Sequence, residues 1–338
     1  MSRFLIGSIN TPGPWFHATG EGITVCALDE DTGEISRITT SPGIENAIWM
    51  TPSPHGLLVA TERFLGDGEL AAFDASFSRI GQAQTTPGGA ICHLALSPDG
   101  ASIYAVSYLG GVTVHALDES GIHPAHQFIA YEGSGQNERQ EKPHPHQAVV
   151  SPDGKKLFVC DLGSDKIWVH PIEGPKLGPA QGIEAPPGSG PRHLVFHPTL
   201  SSFYLLCELD GMVHTYDGES YRLIASHSAV PSDFTEVPGG AATKLHPSGA
   251  SLAVSIRGSD NIAVYLFDTL GGLRPAANFS TRGKAPRDFA FSPSGRWLLA
   301  LNQDSDTVVP FEFDPSSGLP TGRVGAAFQI GCPVCANF

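Results

Sequence analysis

The stretch HQAVVSPDG, His146–Gly154, carries a strand-like apolar run into a Ser-Pro-Asp-Gly turn, and the chain repeats it. The same order recurs as AIWMTPSPHG, CHLALSPDG, TKLHPSG and RDFAFSPSG, with RHLVFHPTL as a variant. Its prolines, Pro54, Pro98, Pro152, Pro198, Pro247 and Pro293, are separated by 44, 54, 46, 49 and 46 residues. After each turn comes a second apolar run (SIYAVSY, KLFVCDL, SFYLLCEL, SLAVSIR, WLLALNQ), then a third that alternates (GVTVHALD, KIWVHPI, MVHTYD, NIAVYLFD). A fourth, poorer run follows, such as PAHQFIA or YRLIASH. Three or four short strands in a period of about 45 residues are the signature of a propeller blade.

Six turn prolines predict six blades, and the two ends of the chain predict a seventh. RFLIGSIN, GITVCALD and ISRITT match the second, third and fourth strands of a blade without its first, while the closing GCPVCANF reads as a first strand without followers. Joined, they close the ring with no exposed sheet edge. The expected fold is therefore all-β, a seven-bladed β-propeller closed by N- and C-terminal strands in one blade, as a single domain over residues 1–338. A two-sheet sandwich with a linker would need a break in composition, and none is visible.

Bulk properties narrow the function. Hydrophobic residues make up 41% and charged residues 16% of the 338, which suits a large core, and 39 Gly with 28 Pro suit many turns. A net charge of −14 argues against a nucleic-acid partner, because phosphate neutralisation needs a basic footprint. The start MSRFLIGSIN is too short and too soon polar for a signal peptide, and no apolar run approaches the roughly 20 residues of a membrane span. Six scattered cysteines read as reduced thiols, so a cytoplasmic protein is expected, a monomer or small homo-oligomer with no membrane partner. The terminal CPVC, Cys332 to Cys335, looks like a redox or zinc half-site but lacks a helix opening or a second CxxC.

In a propeller the first strand of each blade lines the central channel. Six residues before each repeat proline stand Ile48, Cys92, His146, Arg192, Ala241 and Arg287, with Val334 in the closing blade. Three of the seven, His146, Arg192 and Arg287, carry basic side chains. His144 lies two positions before His146 and, by period two, on the same face. The end of the second strand supplies Ser107, Asp161, Glu208, Ile256 beside Arg257, and Asn302, and Lys244 is an added cation three residues before Pro247. His146, Arg192, Glu208, Arg257 and Arg287 are thus expected at one part of the funnel, in blades three to six. Arginine grips a carboxylate or phosphate with two parallel hydrogen bonds, and a His and a carboxylate exchange protons near neutral pH. The set describes an anionic substrate undergoing proton-transfer or acyl chemistry.

Other readings stand beside this one. An arginine salt-bridged to Glu208 would simply plug the channel. His144 with His146 as a zinc site needs a third ligand on a nearby strand. The loops EGSGQNERQ and PGSGPRH lead into the strands bearing His146 and Arg192, and their N–H groups suit an anion, but no GK[ST] follows. No GxSxG elbow and no GxGxxG before a helix is present.

GSGQNERQEKPHPHQAVVSPDGKKLFVCDLGSDKIWV, GSGPRHLVFHP, CELDG, IRGSDNIAVY, PRDFAFSPSGRWLLALNQDSDTVVPF and PVCANF together resemble the propeller-type 6-phosphogluconolactonase family, which includes carboxymuconate-lactonizing enzymes. The resemblance covers nearly the whole chain. It implies a seven-bladed propeller and metal-free hydrolysis of 6-phosphogluconolactone in the pentose phosphate route, or closure of a carboxymuconate to a lactone. By motif it carries the family's active-site His onto His146, the Arg of GPRH onto Arg192, the Glu of NEL onto Glu208 and the Arg of NRG onto Arg257. The chain departs from the pattern at Ser107, Cys207 and Ile256, where the family often has Asn, and at Tyr131, where His is common.

The expected function is that of a lactonase without cofactor or metal, acting on a small anionic lactone. His146, Glu208 and Arg192 are the catalytic candidates. Arg257, Arg287, His144, Lys244 and Asn302 are the substrate-binding ones. A lactonizing cyclase, a calcium-dependent sugar lactonase on a similar fold, and a non-catalytic binding propeller are the alternatives.

Overall fold

The computed structural model describes residues 1–13, 17–61 and 68–338. The repeated Pro-x-Gly is a β-turn in which the glycine must turn left-handed. Gly100, Gly154, Gly249 and Gly295 have φ of 72–73°. Each donates its N–H to the residue before the proline (Ser97, Ser151, His246 and Ser292) at 2.8–2.9 Å. Proline presets the first turn residue and glycine accepts a φ that a Cβ resists, so one tetrapeptide reverses the chain in blade after blade.

The described strands form seven antiparallel sheets of four or five strands. One compact unit, Asn46–Arg192, contains three. Blade 1 orders Ala47–Ser53, Gly56–Thr61, Gly68–Phe73 and Arg79–Thr86; blade 2 orders Ile91–Leu96, Ser102–Ser107, Gly111–Asp118 and Gly121–Ala130. Blade 3 runs Pro145–Val150, Lys156–Asp161 and Lys166–Glu173, with Lys176–Leu177 and Gln181–Glu184 both on its third strand.

The other unit, Met1–Glu45 with His193–Phe338, holds the remaining four. Blade 4 starts at Pro191–Phe196 and continues through Ser202–Cys207, Met212–Asp217 and Leu223–Ser228. Blade 5 is Gly239–Leu245, Ser251–Arg257, Asn261–Phe267 and Leu273–Ser280. Blade 6 is Pro286–Phe291, Trp297–Asn302, Thr307–Asp314 and Leu319–Val324, with Phe328–Gln329 also on its third strand. Blade 7 joins the ends of the chain as expected, with Pro333–Asn337 pairing Ser2–Ser8, followed by Ile23–Leu28 and Ile35–Ser41. Among the described residues the only helix is a 3-10 turn at Gln303–Ser305, and no helix is long and apolar enough to cross a membrane.

Burial explains the quality gradient of the repeat. The second strands Ser102–Ser107, Ser202–Cys207 and Trp297–Asn302 are buried throughout, whereas fourth strands such as Leu223–Ser228 alternate between exposed and half-buried. Apolar contact forms between neighbouring sheets within each unit. In the first, Tyr104, Val106, Val112 and Val114 of blade 2 pack on Ala148, Leu157 and Val159 of blade 3. In the second, Phe4, Ile6 and Leu28 of blade 7 pack on Trp297, Leu299, Leu301 and Val308 of blade 6.

One irregularity is repeated as faithfully as the turn. In blade 3 Pro145 faces Asp161 and Gln147 faces Cys160, so His146 is the extra residue of a β-bulge. Ile48, Cys92, Arg287 and Val334 are extra residues in the same way, and in blade 5 the slip spans Ala241 and Ala242. Six of the seven positions that sequence counting placed on the channel therefore fall at bulges. A bulge bends its strand and re-aims a side chain, which is why these residues escape simple alternation.

Candidate active site

The sequence-predicted residues are divided between the two units. In the three-sheet unit, His144 precedes the strand Pro145–Val150, and its place is set by its own contacts rather than by period two. Its ring stacks on Tyr108, with centroids 4.3 Å apart and planes 14° apart. Nδ1 lies 3.0 Å from the Tyr108 carbonyl and Nε2 3.2 Å from the Glu141 carboxylate, and the His144 N–H donates to Asp161 Oδ1 at 2.6 Å. His144 is 3% exposed and is held by these contacts. His146 is buried on the bulge, its ring edge-on to Tyr108 at 6.0 Å. The Cys92 thiol donates to the His146 carbonyl at 3.1 Å and so fixes the bulged backbone. Arg192 is 2% exposed at the entry to blade 4.

The residues closing the second strands serve the fold. Asp161 accepts from the N–H groups of His144 and Gly163, the Ser164 hydroxyl and the Trp168 indole. Asn302, expected to bind substrate, has a completely buried side chain whose Nδ2 donates to the Thr281 carbonyl at 3.2 Å and Thr307 Oγ1 at 3.3 Å. Both of these bonds engage the amide nitrogen and tie the loop at Thr281 to the start of the third strand at Thr307.

The next residue along is the informative one. Tyr108 and Glu208 stand just past their second strands, and Arg257 occupies the equivalent place in blade 5. Arg257 and Glu208 form an ion pair of 3.0 Å, with the Glu208 side chain 5% exposed. The guanidinium also donates to the Gly239 and Gly240 carbonyls at 3.4 and 3.3 Å. Arg287 donates to Gln303 Oε1 at 3.4 Å. Lys244 pairs with buried Asp288 at 2.7 Å and sits 5.6 Å from the centre of the Phe289 ring, so its charge is already matched by a carboxylate.

Sequence reasoning missed Tyr108, the surface both histidines rest on. It also missed Arg139, whose guanidinium donates to the Tyr108 hydroxyl at 3.3 Å from the loop EGSGQNERQ. A signal existed for Tyr108, since it stands one place beyond Ser107, as Glu208 stands beyond Cys207.

Among the described residues one group of metal-capable donors lies close together, with ligand atoms of Cys207, Asp210 and His214 within 4.8 Å of one another on one hairpin of blade 4. Three donors fall short of the four that close a structural zinc site. The CPVC cysteines are free thiols, and burial pushes both Cys332 and Cys335 up to about 12, which keeps them protonated and unreactive.

Burial also holds His115, His170, His197 and His214 below the usual imidazole range, His214 down to about 4. Folded His214 takes a proton only near pH 4, whereas an unfolded imidazole takes one near 6.5, so the unfolded chain binds more protons between them. Stability is therefore full above about pH 6.5 and falls toward pH 4, by on the order of 2–3 kcal/mol from His214. Urea midpoints measured from pH 7 to 4.5 should decline more steeply for the wild type than for His214→Phe. Parallel declines would refute the assignment to His214.

Comparison with known proteins agrees with this architecture. The chain is 30% identical over 340 residues to the 6-phosphogluconolactonase of Bacillus subtilis, covering 96% of this chain and 97% of that one. It is 29% identical to the 6-phosphogluconolactonase of Formosa agariphila, covering 88% and 90%. The solved structure of the periplasmic gluconolactonase of Pseudomonas aeruginosa superposes with a TM-score of 0.87 at 30% identity, covering 99% and 98%. Matched from residue 3 to residue 338 by the family model Lactonase, 7-bladed beta-propeller, the chain belongs to the seven-bladed β-propeller lactonases.

Proposed function

We propose that the protein hydrolyses 6-phosphogluconolactone to 6-phosphogluconate without a metal ion, as a cytoplasmic enzyme of the pentose phosphate route. One observation carries the reading. The two loops that feed the strands of His146 and Arg192 are Gly-rich, and the strands deliver an almost fully buried guanidinium and a buried imidazole. Arginine presents a planar fork of N–H donors that matches a phosphate oxygen pair, and a doubly charged phosphate suits it. Among the relatives, 6-phosphogluconolactonase is the name of two at about the same identity. The six cysteines, all free, suit a reducing compartment.

In the reaction, water adds to the ring carbonyl, an oxyanion develops there, and the ring C–O bond breaks to give a carboxylic acid and a hydroxyl. Arg192 and Arg287 are each a candidate to supply cationic hydrogen bonds to the anionic group or the oxyanion. Glu208, oriented by Arg257, and His146, seated against Tyr108, are each a candidate for the group that removes the proton from water and returns it to the leaving alkoxide. His144 keeps Tyr108 in place by stacking.

The test compares initial rates on 6-phosphogluconolactone and unphosphorylated gluconolactone, with spontaneous hydrolysis subtracted, with and without EDTA. A preference of about 10- to 100-fold in kcat/KM for the phosphorylated lactone is expected from one charge-assisted contact of about 1.5–3 kcal/mol, unchanged by EDTA. Activity on neither lactone would retire the substrate and leave carboxymuconates as the next compounds to assay.

A further inference from the structure

Three aspartates that the chemistry above does not use occupy the same place in three blades. Asp165, Asp260 and Asp306 lie in the turn between the second and third strands, all with left-handed backbones (φ 51°, 52° and 55°). Each offers its carbonyl to the loop that leads to the next blade, to Ala185 N–H at 2.8 Å, Thr281 N–H at 2.9 Å and Ile330 N–H at 2.9 Å. Each carboxylate then reaches further along that same loop. Asp165 Oδ1 accepts from Gly190 N–H at 2.9 Å and Oδ2 from Gly188 N–H at 2.6 Å; Asp260 Oδ1 accepts from Ala285 N–H at 2.8 Å; Asp306 Oδ1 accepts from Cys332 N–H at 2.7 Å.

The residues so held share a register. Gly190, Ala285 and Cys332 stand two places before Arg192, Arg287 and Val334, and each has a positive φ, 68°, 53° and 36°. Alanine and cysteine resist that conformation and keep it only where surrounding bonds over-determine it. Asp165 also accepts from Gln140 Nε2 at 2.7 Å, and that fully buried amide donates to the Leu162 carbonyl at 2.7 Å. One carboxylate, 7% exposed, therefore holds both Gly-rich loops, EGSGQNERQ and PGSGPRH.

We infer that Asp165 and Asp260 are positioning residues for the substrate-binding arginines, each fixing the backbone two residues before Arg192 or Arg287 so that the guanidinium is delivered in one geometry. The third copy of the device, Asp306, serves Val334 and has no charged side chain to aim. The inference rests on the lactonase reading for the role of the two arginines, and the repeat supplies its own control. Asp165 accepts from three N–H groups, Asp260 from Ala285 N–H and the Lys284 ammonium, and Asp306 from Cys332 N–H and the Thr19 hydroxyl. Each carboxylate is therefore a stiffer tie than a neutral amide, which presents one acceptor oxygen and turns an N–H₂ toward the other donor.

The experiment uses full-length Asp165→Asn, Asp260→Asn and Asp306→Asn, assayed on 6-phosphogluconolactone, with amide hydrogen exchange of the three loops read in parallel. Asp165→Asn should speed exchange across 186–191 and Asp260→Asn across 281–286, each lowering kcat/KM by about 10- to 100-fold, mostly through KM. Asp306→Asn should speed exchange at 330–333 and leave KM unchanged. If Asp165→Asn does not fold, Asp260→Asn, with one backbone donor and an ion pair of 3.0 Å to exposed Lys284, carries the test. Unchanged exchange would overturn the tie itself. Faster exchange with unaltered KM, or an equal rise in KM for all three variants, would overturn the positioning role. Arg192→Ala and Arg287→Ala separate the two layers, since an unchanged KM in both would mean the anion-binding reading is wrong, and the positioning role with it, even where exchange had responded.

Discussion

Glu208→Gln lowers kcat on the phosphorylated lactone by about 10²–10⁴ while the protein stays folded, the range expected when a positioned proton acceptor or donor is removed. The substitution keeps the shape of the side chain and removes its charge. Arg257 retains its bonds to the Gly239 and Gly240 carbonyls, so the local backbone stays in place. A residue that merely plugged the channel through its salt bridge would give the opposite pattern, with stability falling and turnover unchanged. His146→Ala is expected to fall in the same range, because the buried imidazole, edge-on to Tyr108, is the other group proposed to handle a proton. Initial rates with background hydrolysis subtracted, alongside thermal unfolding of each variant, decide the matter. If both folded variants turn over like the wild type, neither residue handles a proton.

Trp297→Ala destabilises the protein by about 3–5 kcal/mol, the cost of removing a large buried aromatic and leaving a cavity. Trp297 is fully buried between blades 6 and 7, among Phe4, Ile6, Leu28 and Leu299, and its indole N–H donates to the Glu30 carbonyl at 3.0 Å. Gly33 approaches so closely that a Cβ there would lie 2.4 Å from Trp297 Cη2. Arg323 covers the ring at 5.4 Å. The wall around the indole is therefore built of backbone and fixed side chains that cannot collapse into the space. Blade 7 is the sheet made from both ends of the chain, so this contact also secures its join. Denaturant midpoints at an unchanged m-value measure the loss, and a shift equivalent to less than about 1 kcal/mol would show that the cavity heals. Trp297→Phe should lose less, since most of the apolar volume remains.

The blade repeat was legible because its physics is local. A Ser-Pro-Asp-Gly turn needs only four residues to reverse the chain, and the apolar runs on either side record which strands are buried. The pairing of GCPVCANF with RFLIGSIN was legible for the same reason, as two incomplete blades with complementary missing strands. The position six residues before the turn proline was also readable, since it is counted along one strand from a fixed turn.

Other features required contacts between residues far apart in sequence. Alternation placed His144 beside His146 on one face, but a bulge adds a residue and breaks period two, leaving Tyr108 and Glu141 to decide where His144 sits. Residue type put Asn302 and Lys244 among the ligand groups, and only the fold revealed that the Asn302 amide nitrogen donates to the Thr281 carbonyl and that Lys244 pairs with Asp288. The aspartate ties joining Asp165 to Gly188 and Gly190 span 23 and 25 residues, beyond the reach of any motif. By itself the sequence determined the repeat, the number of blades and the residue types offered at each bulge, because turns and burial are written in short stretches. Tertiary structure alone decided which of those residues point where and which charges are matched, because a side chain's partners come from whichever strands and loops the fold sets beside it.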